Sequence, residues 1–254
     1  MEIEKGYVTI KKEVPILGIP NQDFKVIWEP VKGNYASQRN QLRERGIQKM
    51  ITSPQSAHFL GDAYENKNQE FSKKIIQIMD DFYFRSSTES LWLPKSNPLS
   101  TDFKDGVIGY DNPDTSKPKF GIEESELFEK LSNAEEISIK GHPVFISKDK
   151  SVRFTPFGFK TGIMSSSKLA KNPYNIVLHG EEGAEKSAKI SEHYNEKPHL
   201  WAYESVNNKQ RTLSALNDFW CFDRRLYVNG SNSGDNDYDH SIGVLASQIK
   251  SNVH

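Results

Sequence analysis

Cysteine is almost missing from this chain of 254 residues. The single Cys221 excludes an internal disulfide framework and any zinc site built on clustered thiolates. Set between Trp220 and Phe222, it reads as a small buried hydrophobe rather than a nucleophile. Neither sign of charge dominates: 33 Lys and Arg stand against 34 Asp and Glu, a net charge of −1. No global pull toward nucleic acid or anionic lipid follows from that balance. No run approaches the ~18 apolar residues of a membrane span, and the stretch Met1–Lys5 lacks the apolar core of a signal peptide. A soluble, cytoplasmic protein with no membrane partner is the expectation.

Complete catalytic signatures are missing too. There is no G-x-S-x-G elbow, no G-x-G-x-x-G fingerprint and no pair of histidines at helical metal spacing. His58, His142 and His179 each stand alone. Aromatic residues, by contrast, are plentiful: 4 Trp, 10 Tyr and 14 Phe are too many for a disordered chain and imply a real core.

The spacing of apolar residues divides the chain into a mixed strand and helix part over 1–93, a connection over 94–120 and an α/β part over 121–254, with one compact domain as the alternative. Residues 6–30 alternate in short extended segments, Val8 and Ile10 against Tyr7, Thr9 and Lys11 among them. Residues 35–85 read as helical. Ser53-Pro54 is a helix start, and Phe71, Ile75, Ile78, Met79 and Phe82 form an apolar stripe. The Pro- and Asp-rich connection 94–120 is broken by one short strand, Val107–Tyr110. In the last ~90 residues, strands at 175–179, 199–203 and 221–228 alternate with helices at 183–195 and 207–217. Two successive crossovers of this kind predict a Rossmann-like α/β layer of parallel strands, with α+β as the runner-up.

That topology would bring ligands to the carboxyl ends of the strands. His179 and Glu204 become the acid/base candidates there, and Arg225 the anion clamp. Residues 174–187 also fall one position short of a phosphate loop. Gly180, Lys186 and Ser187 match G-x-x-x-x-G-K-[ST], but Glu185 occupies the second glycine position and adds like charge where phosphate would sit. Asp235, Asp237 and Asp239 alternate as in calcium loops, although His240 and Ala246 hold the positions of the EF-hand glycine and bidentate glutamate. A solvated, Asp/Asn/Gly-rich loop tip is the expectation there, with a looser Mg2+ or Ca2+ site as the alternative. Arg39 and Arg43, one turn apart on a helix, could face a phosphate backbone.

Three functions compete on these residues. The leading one is binding or turnover of an anionic or phosphate-containing small molecule at the strand ends. The second is a non-catalytic interaction or assembly protein, homo-oligomeric in its simplest form. The third is a nucleic-acid-associated protein using Arg39 and Arg43.

Overall fold

A computed structural model describes residues 16–96, 103–217 and 224–246. The expectations placed on residues 6–15 and on Cys221 lie outside these residues.

Strand β1 (Ile16–Gly18) pairs antiparallel with β2 (Phe24–Lys32). Three helices follow, α1 (Tyr35–Glu44), α2 (Ser53–Glu65) and α3 (Glu70–Asp81). Pro54 sits in the first turn of α2 as the sequence suggests, but the cap is Thr52, whose backbone N–H donates to Gln55 Oε1 at 3.0 Å. On α3 the apolar stripe turns inward, with Ile75 and Met79 fully buried. Next come β3 (Phe84–Leu93) and β4 (Gly106–Asp111), which are antiparallel neighbours in mid-sheet. Then follow α4 (Glu124–Leu131), the hairpin β5 (Glu135–Ile139) and β6 (His142–Ile146), β7 (Val152–Pro156) and β8 (Gly162–Ile163). Helices α5 (Ser166–Ala170) and α6 (Pro173–Ser191) precede β9 (His199–Trp201), β10 (Gln210–Asn217), β11 (Tyr227–Asn232) and β12 (His240–Ala246).

All twelve strands among the described residues join one mixed, mostly antiparallel sheet in the order β5-β6-β7-β4-β3-β10-β11-β9-β8, with β12, β2 and β1 branching from β3. Only β9–β11 and a single bridge between β12 and β3 are parallel. The Rossmann-like layer is therefore absent, and three segments account for the difference.

Residues 175–179 are helical, inside α6. Asn172 caps that helix, accepting from Tyr174 N at 3.0 Å and Asn175 N at 3.3 Å, and Pro173 opens it. A short apolar run such as Ile176–Leu178 has the same pattern in a buried helix as in a buried strand. Gly180 is no turn between strand and helix. Its φ of 68° kinks α6 and lets the chain resume as helix. Residues 207–217 hold a strand, not a helix. In β10, Thr212 and Ser214 alternate with Leu213 and Ala215, a period of two written in residues of mixed polarity. Of the expected strand 221–228, residues 221–223 lie outside the described structure, and β11 starts at Tyr227.

Helix α6 lies very close to the sheet because two glycines admit it. A Cβ on Gly109 would stand 2.6 Å from Val177 Cγ1 and 2.7 Å from the Val177 carbonyl, and one on Gly230 would collide with the Tyr174 hydroxyl. The main core forms in this layer from Trp92, Val107, Tyr174, Val177, Leu178, Leu200 and Val228, with α2 packed beside α6. A second core under α4 gathers Leu91, Ile108, Leu127, Leu131 and Phe154. Among the described residues no helix is long and apolar enough to cross a membrane.

Candidate functional site

The strand-end site of the sequence reading is not assembled. His179 lies in α6 and is buried, with Nδ1 donating to the Ser53 carbonyl at 3.2 Å. Burial pushes its pKa down to about 4, only partly offset by the Ser53 bond, so the ring is neutral at neutral pH. Its Nε2 has no hydrogen-bond partner. Glu204 sits on the exposed loop after β9 and accepts from Thr161 Oγ1 at 2.6 Å. Nothing among the described contacts joins Glu204 to His179. Arg225 faces Glu196 at 4.0 Å and donates to the Lys197 carbonyl at 3.3 Å, rather than meeting Glu204.

The phosphate-loop residues are likewise dispersed along one helix. Gly180 is its kink, Lys186 pairs with Glu65 on α2 at 2.9 Å, and Ser187 is buried, donating to the Ala184 carbonyl at 2.9 Å. Lys186 and Ser187 fall within the continuous helix after Gly180, where backbone N–H groups are spent on the helix itself.

The acidic loop is clamped rather than metal-like. Asp235 pairs with Lys119 at 3.4 Å, and Asp237 accepts from Asn34 Nδ2 at 2.8 Å. Asp239 points the other way into the protein, where it forms a fully buried ion pair with Arg85. Burial raises the Asp239 pKa to about 7 against the pull of Arg85. No group of three or more potential metal ligands converges among the described residues. Arg39 and Arg43 do not share a solvent face. Arg39 is buried and donates to the Tyr35 hydroxyl at 2.6 Å and the Asn112 carbonyl at 2.9 Å. Arg43 is exposed and donates to Asn40 Oδ1 at 2.8 Å.

The sequence reading overlooked β3, which carries the densest polar chemistry in the molecule. Arg85 and Glu89 lie on one face of the strand, both buried, and the Tyr35 hydroxyl of α1 reaches Glu89 there. Arg85 donates to the Gly234 carbonyl at 3.0 Å and to Asn232 Oδ1 at 3.2 Å, so one guanidinium pins the whole β11–β12 loop. Glu89 Oε1 accepts from Asn112 Nδ2 at 3.0 Å, Phe120 N at 3.1 Å and the Tyr35 hydroxyl at 3.3 Å. Burial raises the Glu89 pKa, opposed by the Asn112 and Phe120 bonds. Burial and the neighbouring Glu89 charge raise the Tyr35 and Tyr110 hydroxyls as well.

On the opposite face Ser53, Ser86 and Ser214 bond hydroxyl to hydroxyl, Ser53 to Ser86 at 2.8 Å and Ser86 to Ser214 at 2.6 Å. Thr88 donates to Asp111 at 2.6 Å, and Asp111 pairs with Arg153 at 3.0 Å. The signal for both layers was present in Phe84–Leu93 as alternating Arg85, Ser87 and Glu89, but a polar string of that kind reads as surface. Each layer ties neighbouring elements together, and both are closed to solvent.

A cleft of about 440 Å3 lies between α4 and the β6–β7 turn, lined by Glu126, Glu129, Lys130 and Asp149 among others. Burial pushes the Asp149 carboxyl up, but bonds from Lys130, Ser147 and Ser151 reverse this and hold it well below the usual carboxylate range. Lys130 and Asp149 there are already paired with each other at 2.8 Å. Another exposed feature is apolar. Ile163 on β8 is 57% exposed and Trp201 on β9 is 47% exposed. Ile163 stands opposite His199, and the His199 and Trp201 rings stack at 4.7 Å, so all three share one face of the sheet end. No family model matches the chain, and neither a curated protein nor a solved structure is similar to it.

Proposed function

We propose that this protein is a non-catalytic assembly protein that associates with further copies of itself through the end strands β8 and β9. The observation that carries this reading is the joint exposure of Ile163 and Trp201 on one face of those strands. A tryptophan beside a β-branched residue is the composition of an interface anchor, and association would remove both from water. The acid/base and anion-binding candidates support the same reading in a negative way. His179, Lys186, Asp239 and Arg39 are each engaged in a bond that ties distant parts of the chain together. The anionic-ligand reading depended on a Rossmann-like layer of parallel strands, and this sheet is mostly antiparallel. With a single cysteine, the reading places the protein in the cytoplasm, where disulfides are rare.

Sedimentation velocity across a concentration series tests it. Wild type should sediment as a mixture that shifts to larger species as concentration rises, and Trp201→Ser with Ile163→Ser should shift the distribution toward smaller species at every concentration. A wild-type chain that stays monomeric throughout overturns the reading.

A further inference from the structure

The far end of the sheet from Trp201 is also open. β5 pairs only with β6, and among the described residues no backbone group bonds to its outer side. An unpaired edge is a template for another strand. Alternation dictates what that strand must carry.

Ile137 and Ile139 lie on the face that holds Val144 and are only partly buried against the main core, so apolar residues opposite them would complete that core. Glu135, Glu136 and Ser138 are exposed, and opposite charges directly across a pair of strands stabilise it. A guest running antiparallel to β5 therefore reads, in its own direction, apolar, polar, apolar, cation, cation.

The chain contains that string as Val8-Thr9-Ile10-Lys11-Lys12. Laid antiparallel on β5, Lys12 faces Glu135 and Lys11 faces Glu136. Ile10 then faces Ile137, Thr9 faces Ser138 and Val8 faces Ile139. Every position is complementary, as two opposite-charge pairs, two β-branched apolar pairs and one hydroxyl pair. Residues 8–12 precede the described structure, which begins with β1 at Ile16. Four residues of chain span at most ~14 Å. The pairing order from β1 to β5 runs β1-β2-β12-β3-β4-β7-β6-β5. At ~4.8 Å per neighbouring pair, that is ~34 Å along the sheet. Along the sheet the gap exceeds that reach, which favours a donor segment from another molecule.

We propose that β5 accepts Val8–Lys12 of a second copy as an added antiparallel strand. The inference rests on the assembly reading but not on the Trp201 contact. Reciprocal exchange closes a two-fold dimer, and one-way donation runs on as a chain of copies.

A fluorescein-labelled peptide of residues 6–14, titrated with the full chain and followed by anisotropy, tests the edge directly. Binding should saturate, weaken as salt rises, and weaken at least tenfold when the chain carries Glu135→Lys and Glu136→Lys. A peptide carrying Lys11→Glu and Lys12→Glu should recover binding to that charge-reversed chain and lose it to the wild type. Thermal melts confirm that the variants fold. The opposing idea is that Glu135 and Glu136 only guard the edge. It predicts no peptide binding, together with self-association of a Glu135→Ser, Glu136→Ser chain, and that result overturns the proposal. So does equal binding of the peptide to wild-type and charge-reversed chains. Trp201→Ser should leave peptide binding intact. Loss of the β8–β9 contact alone therefore sinks only the reading of that surface, and peptide failure alone sinks only this one.

Discussion

The neutral, buried His179 makes a prediction about acid stability that can be worked through in numbers. Its folded pKa of about 4 lies below its ordinary value of 6.5. As pH falls from 6.5, the unfolded chain takes up a proton on this ring and the folded chain does not. The stability held by His179 is thus fully present above pH 6.5 and is lost toward pH 4. A gap of about 2.5 units at about 1.4 kcal/mol per unit comes to about 3 kcal/mol. Asp239 acts in nearly the same window with the opposite sign. Its folded pKa of about 7 exceeds the ordinary 3.8, so the folded chain holds the extra proton. Its contribution is present below pH 3.8 and is lost as pH rises through about 7. The two slopes oppose each other between about pH 4 and 6.5. Replacing the ring by His179→Gln removes one of them. Urea unfolding followed by tryptophan fluorescence should then show the variant losing stability relative to wild type as pH rises across that window, by about 3 kcal/mol in the difference between the two curves. The other shifted groups, His58 and His240 lowered by burial, Asp62 and Glu89 raised by it, are common to both proteins and cancel in that difference. A difference that is constant with pH would refute the account, because it would mean that His179 titrates as it does in the unfolded chain.

Two further outcomes follow from the packing of α6. Gly109→Ala places a methyl group against Val177 and its carbonyl, so the helix must lift from the sheet. The cost should be about 2 kcal/mol, read as a fall of roughly 4 to 8 °C in Tm by differential scanning calorimetry. Asn172→Ala removes the side chain that accepts from Tyr174 N and Asn175 N. It should lower stability by about 1 kcal/mol in urea unfolding with an unchanged m-value.

How much of this was legible beforehand depends on whether a segment's polarity matched its burial. The α3 stripe was readable because Ile75, Ile78 and Met79 recur at helical spacing and face the core. Strand β4 was readable because an apolar run stands alone between polar, proline-rich flanks. The cap region of α2 was readable to within one residue, since Thr52 and Ser53 are both capping types and only the fold chooses between them. β3 was not legible. Its arginine, glutamate and run of hydroxyls signal surface, and only partners far along the chain make their burial tolerable: Asp239, Asn112, Ser53 and Ser214.

The same principle separates sequence from tertiary structure across the whole molecule. By itself the sequence determined that the chain folds around an aromatic-rich core, without an internal disulfide framework or a zinc site of clustered thiolates, and that α3 packs by an apolar stripe. Only the tertiary structure decided that Ile176–Leu178 is helix, that residues 210–217 are a strand, and that the charged candidates fasten the fold together rather than forming a strand-end site. The physical reason is that local periodicity records which side of an element is apolar. Whether a polar group is buried depends on the energy of partners brought to it from elsewhere in the chain.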